Sequence, residues 1–154
     1  MSDRPERAAR MVEVGAKDVT DRVAVAESVL LAEATTIERL VAGTPKGDPL
    51  EAARIAGLLA LKRTPELLPF CHPVAVTGAE VAVRAEPDAG RVVVTATVRA
   101  TDRTGVEMEA MTAAAVAALS LYDAAKAFER SARIADVRLL EKRGGAGGDH
   151  RAVC

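Results

Sequence analysis

The sequence feature that most constrains the fold is a pair of alternating apolar segments at residues 74–85 and 91–101. In the second segment, Val92, Val94 and Val98 fall on one face, whereas threonine and arginine occur on the other. The intervening EPDAG has the composition of a turn. Because every second side chain of a strand points to the same side, the two segments predict an antiparallel hairpin with one buried face.

The residues before the hairpin predict one strand and two helices. Partial alternation over residues 22–32 indicates a strand, and residues 33–42 are typical of a short helix. A second helix is predicted to begin at Asp48, where an aspartate, a following proline and Glu51 form a capping-box pattern. We expect this helix to end at the Thr-Pro pair of residues 64–65.

A long alanine-rich helix is predicted after the hairpin, over residues 105–130, with Thr104 and Glu107 as a second capping box. Residues 134–141 predict a last strand. The predicted elements thus follow the order strand, helices, two strands, helix and strand. This is the order of the split βαβ, or ferredoxin-like, arrangement. We therefore expect an α+β fold in which helices pack on one face of an antiparallel sheet.

The chain of 154 residues is predicted to form a single catalytic domain at residues 11–143. We expect a flexible N-terminal arm at residues 1–10 and a flexible glycine-rich tail at residues 144–154. If helices cover only one side of the sheet, the other face, which includes Val93, must be shielded from water by something else. Self-association of the chain would hide it.

Composition argues against several classes of function. The formal net charge of −1 disfavours general coating of nucleic acid and a membrane-surface role. An aromatic content of 2% disfavours stacking platforms for single strands. We expect no signal peptide and no membrane span, because the start is charged and the apolar runs are short. Cys71 and Cys154 do not indicate a disulfide framework, which favours a cytoplasmic protein.

The loop FCHP at residues 70–73 is a first candidate for chemistry. Three prolines fall within nine residues at this point, which stiffens the loop. A stiff loop can present the His72 imidazole and backbone amides to a ligand. A rigid turn with a partly buried Cys71 and an incidental histidine explains the same residues equally well. Adjacent cysteine and histidine do not match the paired spacing of a zinc site.

The long helix carries further candidates. A capping box already explains Glu107, whereas Glu109 has no such explanation. Asp123 and Lys126 are three residues apart and share a face of the helix. A solvated ion pair is the ordinary interpretation of such a pair. The surrounding alanines indicate packing, however, and a half-buried lysine–carboxylate pair can serve as acid or base.

Helix geometry limits how these candidates could act together. Glu109 and Asp123 are separated by fourteen residues of one helix, which corresponds to about 21 Å along its axis. A nucleotide-sized ligand hardly bridges that distance. If both side chains contact one ligand, we expect different subunits to supply them.

Several cations are ordinary alone but would suit a polyphosphate if the fold gathered them. They are Lys46, Lys62, Arg63, Lys126, Lys142 and Arg143. The glycine run at residues 144–148 could wrap phosphates through its backbone amides, although a flexible chain end is the simpler interpretation.

Taken together, the motifs resemble those of one family. The matching segments, in chain order, are MVEV at residues 11–14, KGD at 46–48, ARIAG at 53–57, KRT at 62–64, CHP at 71–73, RTGVEMEA at 103–110, YD at 122–123 with KA at 126–127, and VRLLEK at 137–142. They are similar to the cyclic pyranopterin monophosphate synthase family of molybdenum-cofactor biosynthesis, and they cover nearly all of the chain from residue 11 onward.

The resemblance implies a lyase that converts 3′,8-cyclo-7,8-dihydro-GTP to cyclic pyranopterin monophosphate and releases pyrophosphate. It implies a ferredoxin-like fold and a homohexamer, a trimer of dimers, with sites at subunit interfaces. Such chemistry requires positioned acids and bases, and cations that stabilise the departing pyrophosphate. No dedicated metal cage is visible, so we expect no cofactor other than Mg²⁺ carried by the substrate triphosphate. Nucleic-acid and membrane partners are not expected.

The resemblance also implies roles for individual residues. The catalytic residues would be Asp123, Lys126, Lys46 and His72. The substrate would be bound by Phe70, Cys71, His72, Glu107, Met108, Glu109, Lys62 and Lys142. Two positions depart from the family pattern: Glu13 stands where aspartate is frequent, and Ala146 stands where the tail usually carries a lysine. Arg143 is a candidate to replace the missing phosphate contact.

Two other classes of function stay open. The first is a non-catalytic small-molecule-binding module on the same fold, which needs a pocket but no acid–base groups. The second is a purely structural oligomer, which the alanine-rich helices would support. The embedded Asp123 and Lys126, together with His72, favour the enzyme.

Overall fold

One antiparallel sheet with helices on one face forms the fold in the computed structural model, which describes residues 7–153. The strands are β1 (Thr20–Leu31), β2 (Val76–Glu86), β3 (Arg91–Asp102), β4 (Arg133–Arg143) and β5 (His150–Arg151). The helices are α1 (Ala34–Ala42), α2 (Pro49–Leu61), α3 (Thr64–Leu67) and α4 (Glu107–Ala125). The first six residues of the predicted N-terminal arm and Cys154 lie outside the described residues.

The order of the strands is β2-β3-β1-β4-β5, and every neighbouring pair is antiparallel. The first four of these strands have the topology of the ferredoxin-like split βαβ arrangement. Helix α4 packs on β1, β3 and β4, and α2 packs on α4 and β2. These contacts confirm the predicted α+β class. No helix within residues 7–153 has the length and apolar character needed to cross a membrane.

The core lies between the sheet and the two long helices. Inward-facing side chains of β1 and β3, such as Leu30, Val94 and Val98, are fully buried. Helix α4 contributes mainly alanines to this interface, including Ala113 and Ala117. Small side chains on α4 allow α2 to approach closely, and this approach fixes both long helices on the sheet.

Gly57 marks the closest approach of α2 to α4. A Cβ atom at this position would lie 3.0 Å from the carbonyl oxygen of Ala113 and 3.3 Å from the Cβ of Ala117. Contacts this short leave room for a hydrogen atom and little more. The glycine therefore costs helix propensity but permits the tight interface.

The start of α2 agrees with the sequence, whereas its end differs. The Asp48 carboxylate accepts hydrogen bonds from the amides of Leu50 and Glu51, as expected of an N-cap. The Glu51 side chain does not complete the box and pairs with Arg54 instead. Beyond Leu61 the chain forms the separate turn α3, because Pro65 fits the first turn of a new helix but cannot continue the old one.

The second predicted capping box is wrong. Helix α4 has no side-chain cap, and the Glu107 carboxylate lies 3.6 Å from the Lys142 ammonium on β4. The helix also ends at Ala125, five residues before the predicted end. Phe128 already belongs to a turn, since its amide donates to the carbonyl of Ala125.

The tail contains a strand that the sequence did not predict. His150 and Arg151 pair with Lys142 and Glu141, so β5 holds this part of the chain against the edge of the sheet. The predicted flexible tail thus includes two residues that pair with β4. Two residues are too few to show an alternating pattern, which explains why the sequence carries no signal for β5.

We expect Gly57→Val to lower the free energy of unfolding by about 1–3 kcal/mol, because the added atoms must displace α4 from α2. Urea unfolding followed by circular dichroism would measure the change. Ala52→Val is the matched control, since Ala52 is exposed on the same helix and a valine there costs only helix propensity, well under about 1 kcal/mol. Equal destabilisation by both variants would contradict the close approach.

Candidate active site

A first cavity lies between the loop after α3 and the start of α4. It has a volume of about 410 Å³ and is lined by residues that include Phe70, Cys71, His72, Glu107 and Met108. Phe70 and Met108, which are 57% and 41% exposed, supply apolar surface at this cavity. The cavity thus combines an imidazole and a carboxylate with apolar surface, an arrangement that suits a polar ring system.

Glu109 lies behind this cavity. The side chain is 2% exposed, and Oε2 has no hydrogen-bond partner among the residues that the structure describes. Oε1 accepts a long hydrogen bond from the Cys71 thiol at 3.8 Å. Burial raises the pKa of the Glu109 carboxyl above its ordinary value. In this chain, Glu109 contacts the cavity wall at Cys71 and does not line the cavity itself.

Cys71 is a free cysteine in the wall of the first cavity. Burial, followed by the repulsion and hydrogen bond of the Glu109 carboxyl, raises the pKa of the thiol. A thiol in such surroundings is a poor nucleophile. Cys71 therefore lines the cavity as a thiol whose ionisation is disfavoured by its surroundings.

A second cavity adjoins the first. It has a volume of about 810 Å³ and shares Thr104, Gly105 and Glu107 with the first cavity. Lys142 lies in its wall beside the glycine-rich segment, where its ammonium approaches the Glu107 carboxylate. Two predicted substrate-binding residues are thus brought together across α4 and β4.

A third cavity, of about 440 Å³, lies at the opposite end of α4. Lys46, Asp123 and Phe128 are among its lining residues. Lys126 donates a hydrogen bond of 2.5 Å to the Asp123 carboxylate. This bond, more than the nearby charge of Lys126 and the weaker effect of Lys46, lowers the pKa of Asp123. Three of the predicted catalytic residues are therefore grouped here.

The Asp123–Lys126 pair is more exposed than expected. The two side chains are 67% and 54% exposed, so the predicted half-burial is wrong for a single chain. The flanking alanines do not cover the pair, because Ala125 faces the core on the other side of the helix. An exposed ion pair contributes little to stability. Because both side chains are exposed, they can contact a ligand or another subunit.

A single chain does not assemble the complete predicted site. Helix α4 has nineteen residues, about 28 Å, with His72 near its start and Asp123 near its end. Lys62 follows the last residue of α2, and its side chain is exposed and outside the three cavities. The predicted residues therefore form two groups that one nucleotide cannot reach together within one chain.

Sequence reasoning missed Arg22 and Arg103, which line the second cavity. Arg22 is 7% exposed and occupies the same face of β1 as Ala24 and Ala26. The available signal was a charged residue at a strand position that alternates with buried apolar side chains. Arg103 gave no comparable signal, because it lies in a loop.

Comparison with known proteins connects this geometry to a family. The model of the MoaC family matches residues 11–145, which include every predicted catalytic and substrate-binding residue. The chain belongs to the MoaC family. The match ends at Gly145, so β5 lies beyond the part that the MoaC family model describes.

Curated relatives support the assignment to the MoaC family. A protein from Streptomyces griseus is 55% identical over 145 residues, which are 94% of this chain and 81% of that protein. Proteins from Roseiflexus sp. and Parvibaculum lavamentivorans are 51% and 48% identical over 142 and 146 residues, with 90% and 91% of their lengths covered. These spans are 92% and 94% of this chain. All three relatives are named cyclic pyranopterin monophosphate synthase.

We expect Glu109→Gln to remove a pH-dependent loss of stability. A carboxyl whose pKa is raised on folding binds more protons in the folded state, so the free energy of unfolding falls as pH rises above the ordinary value of 4.5. The stability of Glu109→Gln relative to the parent should therefore increase between about pH 4 and about pH 8. Urea unfolding across this range would measure it.

Glu129→Gln is a control of opposite sign. The amide of Glu33 donates a hydrogen bond to the Glu129 carboxylate and lowers its pKa. The stability that this carboxylate contributes is present above its ordinary pKa and is lost as pH falls. Glu129→Gln should therefore lose most stability at high pH. A constant difference between Glu109→Gln and the parent at every pH would contradict the role assigned to burial.

Proposed function

We propose that the chain is a cyclic pyranopterin monophosphate synthase, which converts 3′,8-cyclo-7,8-dihydro-GTP to cyclic pyranopterin monophosphate with release of pyrophosphate. The observation that carries this proposal is the name shared by relatives that are 48–55% identical over more than nine tenths of the chain. The reaction is a lyase step of molybdenum-cofactor biosynthesis.

The two groups of side chains support this chemistry in different ways. The first cavity offers apolar surface with the His72 imidazole and the Glu107 carboxylate, which suits a ring rich in donors and acceptors. The group at the far end of α4 offers Lys46, Lys126 and Asp123, which suit proton transfer. Rebuilding the ring and closing a cyclic phosphate require both kinds of group.

We assign proton transfer to the ion-paired lysine and its neighbours. The Asp123 carboxylate holds the Lys126 ammonium by its hydrogen bond and so orients it. Once a second subunit and substrate exclude water, the charges of this pair act more strongly on the substrate. Lys46 then adds positive charge near the same point, where it stabilises negative charge that develops on the substrate.

Assembly is part of the proposal. The active unit is a homohexamer, a trimer of dimers, in which each site combines the first cavity of one chain with the Lys46, Asp123 and Lys126 group of another. The separation of these groups along α4 supports a shared site. We also propose that the enzyme acts in the cytoplasm and holds no cofactor of its own, with Mg²⁺ bound only to the substrate triphosphate.

Lys126→Ala and Asp123→Asn should each lower kcat for pyrophosphate release by about 10²–10⁴-fold, because each removes part of the proton-transfer group. The assay follows pyrophosphate while the protein is incubated with 3′,8-cyclo-7,8-dihydro-GTP. Arg130→Ala is the control, since it removes an exposed cation that lines none of the three cavities.

Two results would count against these assignments. Absence of turnover in the parent protein would overturn the enzyme function and favour a non-catalytic binding module. Unchanged turnover in both variants would leave the function intact but overturn the assignment of Asp123 and Lys126.

Mixing two inactive variants tests the shared site. His72→Ala damages the first cavity, and Lys126→Ala damages the group at the other end of α4. If one site draws on two chains, a co-refolded equimolar mixture should regain about one quarter of the parent activity, because some mixed pairs contain one intact site. A mixture as inactive as its components would show that both groups act from the same chain.

A further inference from the structure

The turn after α4, at residues 126–132, carries part of the proton-transfer group. Lys126 is the C-cap residue of α4, and the next two residues, Ala127 and Phe128, line the third cavity together with Lys46. The turn belongs to neither a helix nor a strand. Because such a segment has no regular backbone hydrogen bonding to fix it, its position depends on contacts with other elements.

Glu129 attaches this turn to the start of α1. The amide of Glu33, the N-cap residue of α1, donates a hydrogen bond of 2.9 Å to Oε2 of the Glu129 carboxylate. The Ser131 hydroxyl donates one of 3.3 Å to Oε1. Within residues 7–153, the Glu33 side chain does not cap its own helix. Glu129 thus supplies, from a distant part of the chain, the carboxylate that stabilises the N-terminus of α1.

Arg39 contacts the same turn from the other end of α1. Its guanidinium lies 5.0 Å from the centre of the Phe128 ring, within the range of a cation–π interaction. Arg39 belongs to the last turn of α1, whereas Glu33 precedes its first turn. The turn after α4 is therefore held at two separated points of one helix, which restrains its rotation as well as its displacement.

A third contact ties the turn back to α4. The Tyr122 hydroxyl donates a hydrogen bond of 3.1 Å to the carbonyl of Arg130. Tyr122 immediately precedes Asp123, the partner of Lys126 in the ion pair. The turn is thus fixed between α1 and the part of α4 that carries the Asp123 carboxylate.

Helix α1 also leads directly to the second lysine of the group. It ends four residues before Lys46, which lies in a tight turn where Thr44 and Gly47 exchange backbone hydrogen bonds of 2.9 Å. Ile37 and Leu40 are fully buried, so α1 itself is fixed in the core. One helix therefore determines both where this lysine begins and where the turn after α4 lies.

We propose that Glu129 and Arg39 are positioning residues, which hold the turn after α4 on α1 and so fix the distance between Lys126 and Lys46. Neither side chain lines the third cavity, so both act through the turn and not on the substrate. The inference rests on the proposed function, because it concerns the geometry of the same group. Proton transfer near Lys126 and stabilisation of charge by Lys46 require both lysines to be in place at once.

The test is steady-state pyrophosphate release by the full chain. Glu129→Ala should lower kcat about 10-fold and change KM less than about twofold, because misplacing the turn impairs chemistry more than substrate binding. Glu129→Gln keeps an oxygen that can accept from the Glu33 amide and should recover most of kcat. Arg39→Gln removes the cation above Phe128 and should lower kcat by about 2–5-fold.

Val81→Ala is the control for a general loss of stability. Val81 is buried on β2, packs against α2 at Gly57 and lines none of the three cavities. This variant should lower the midpoint of thermal unfolding at least as much as Glu129→Ala but leave kcat unchanged at temperatures where both are folded. Parent-like kcat in Glu129→Ala, or an equal loss in Val81→Ala, would overturn the positioning role.

Amide hydrogen exchange gives a readout that does not require turnover. The amide of Phe128 donates to the carbonyl of Ala125 at 2.9 Å. Its exchange should become about 10-fold faster in Glu129→Ala and stay unchanged in Val81→Ala, because only the former releases the turn. Unchanged exchange in Glu129→Ala would overturn the proposal. Faster exchange, with no turnover by the parent, would overturn the proposed function and keep the attachment of the turn to α1.

Discussion

The rigidity of α4 is the constraint on which the organisation of the molecule depends. The helix is fixed along its length by the contact of Ala113 and Ala117 with α2 at Gly57 and by the sheet beneath. It therefore acts as a spacer of constant length between the cavity at His72 and the ion pair at Asp123. No movement of side chains spans that distance, so the two groups can meet only where chains associate.

Two buried ionisable groups lie near the start of α4, and the free-energy cost of burying their charge is reduced differently for each. Glu109 can take up a proton, and its raised pKa means that it does so more readily than an exposed glutamate. Arg22 instead donates hydrogen bonds from its guanidinium to the backbone carbonyls of Asp102 and Arg103. Burial thus disfavours a negative charge on Glu109 behind the first cavity, whereas the second cavity is lined by the guanidinium of Arg22.

Local patterns in the sequence were sufficient for much of the fold. The hairpin, the order of the elements and the Asp48 cap each depend on neighbouring residues, so they could be predicted. The Thr104–Glu107 box failed because Lys142, on a strand distant in sequence, attracts the Glu107 carboxylate. The cavity at Arg22 also arises from segments far apart in the chain, and no local pattern reports that they converge.

The same limit applies to the candidate site. The resemblance of motifs to a known family supplied the residues, most of which the structure places in or beside three cavities, but not the grouping of those residues. The alanines around Asp123 indicated burial because composition does not show which side of a helix faces the core. Strand β5 could not be predicted, because its pairing depends on the end of the long strand β4 and not on its own two residues.

The short strand β5 has a consequence for how strongly the second cavity can hold a ligand. Because β4 and β5 anchor the segment of residues 144–149 at both ends, the chain has already lost most of its conformational freedom there during folding. A ligand that binds there therefore loses little binding free energy to immobilising this segment. The glycines, which are the residues with most conformational freedom to lose, are thus preorganised before any ligand binds.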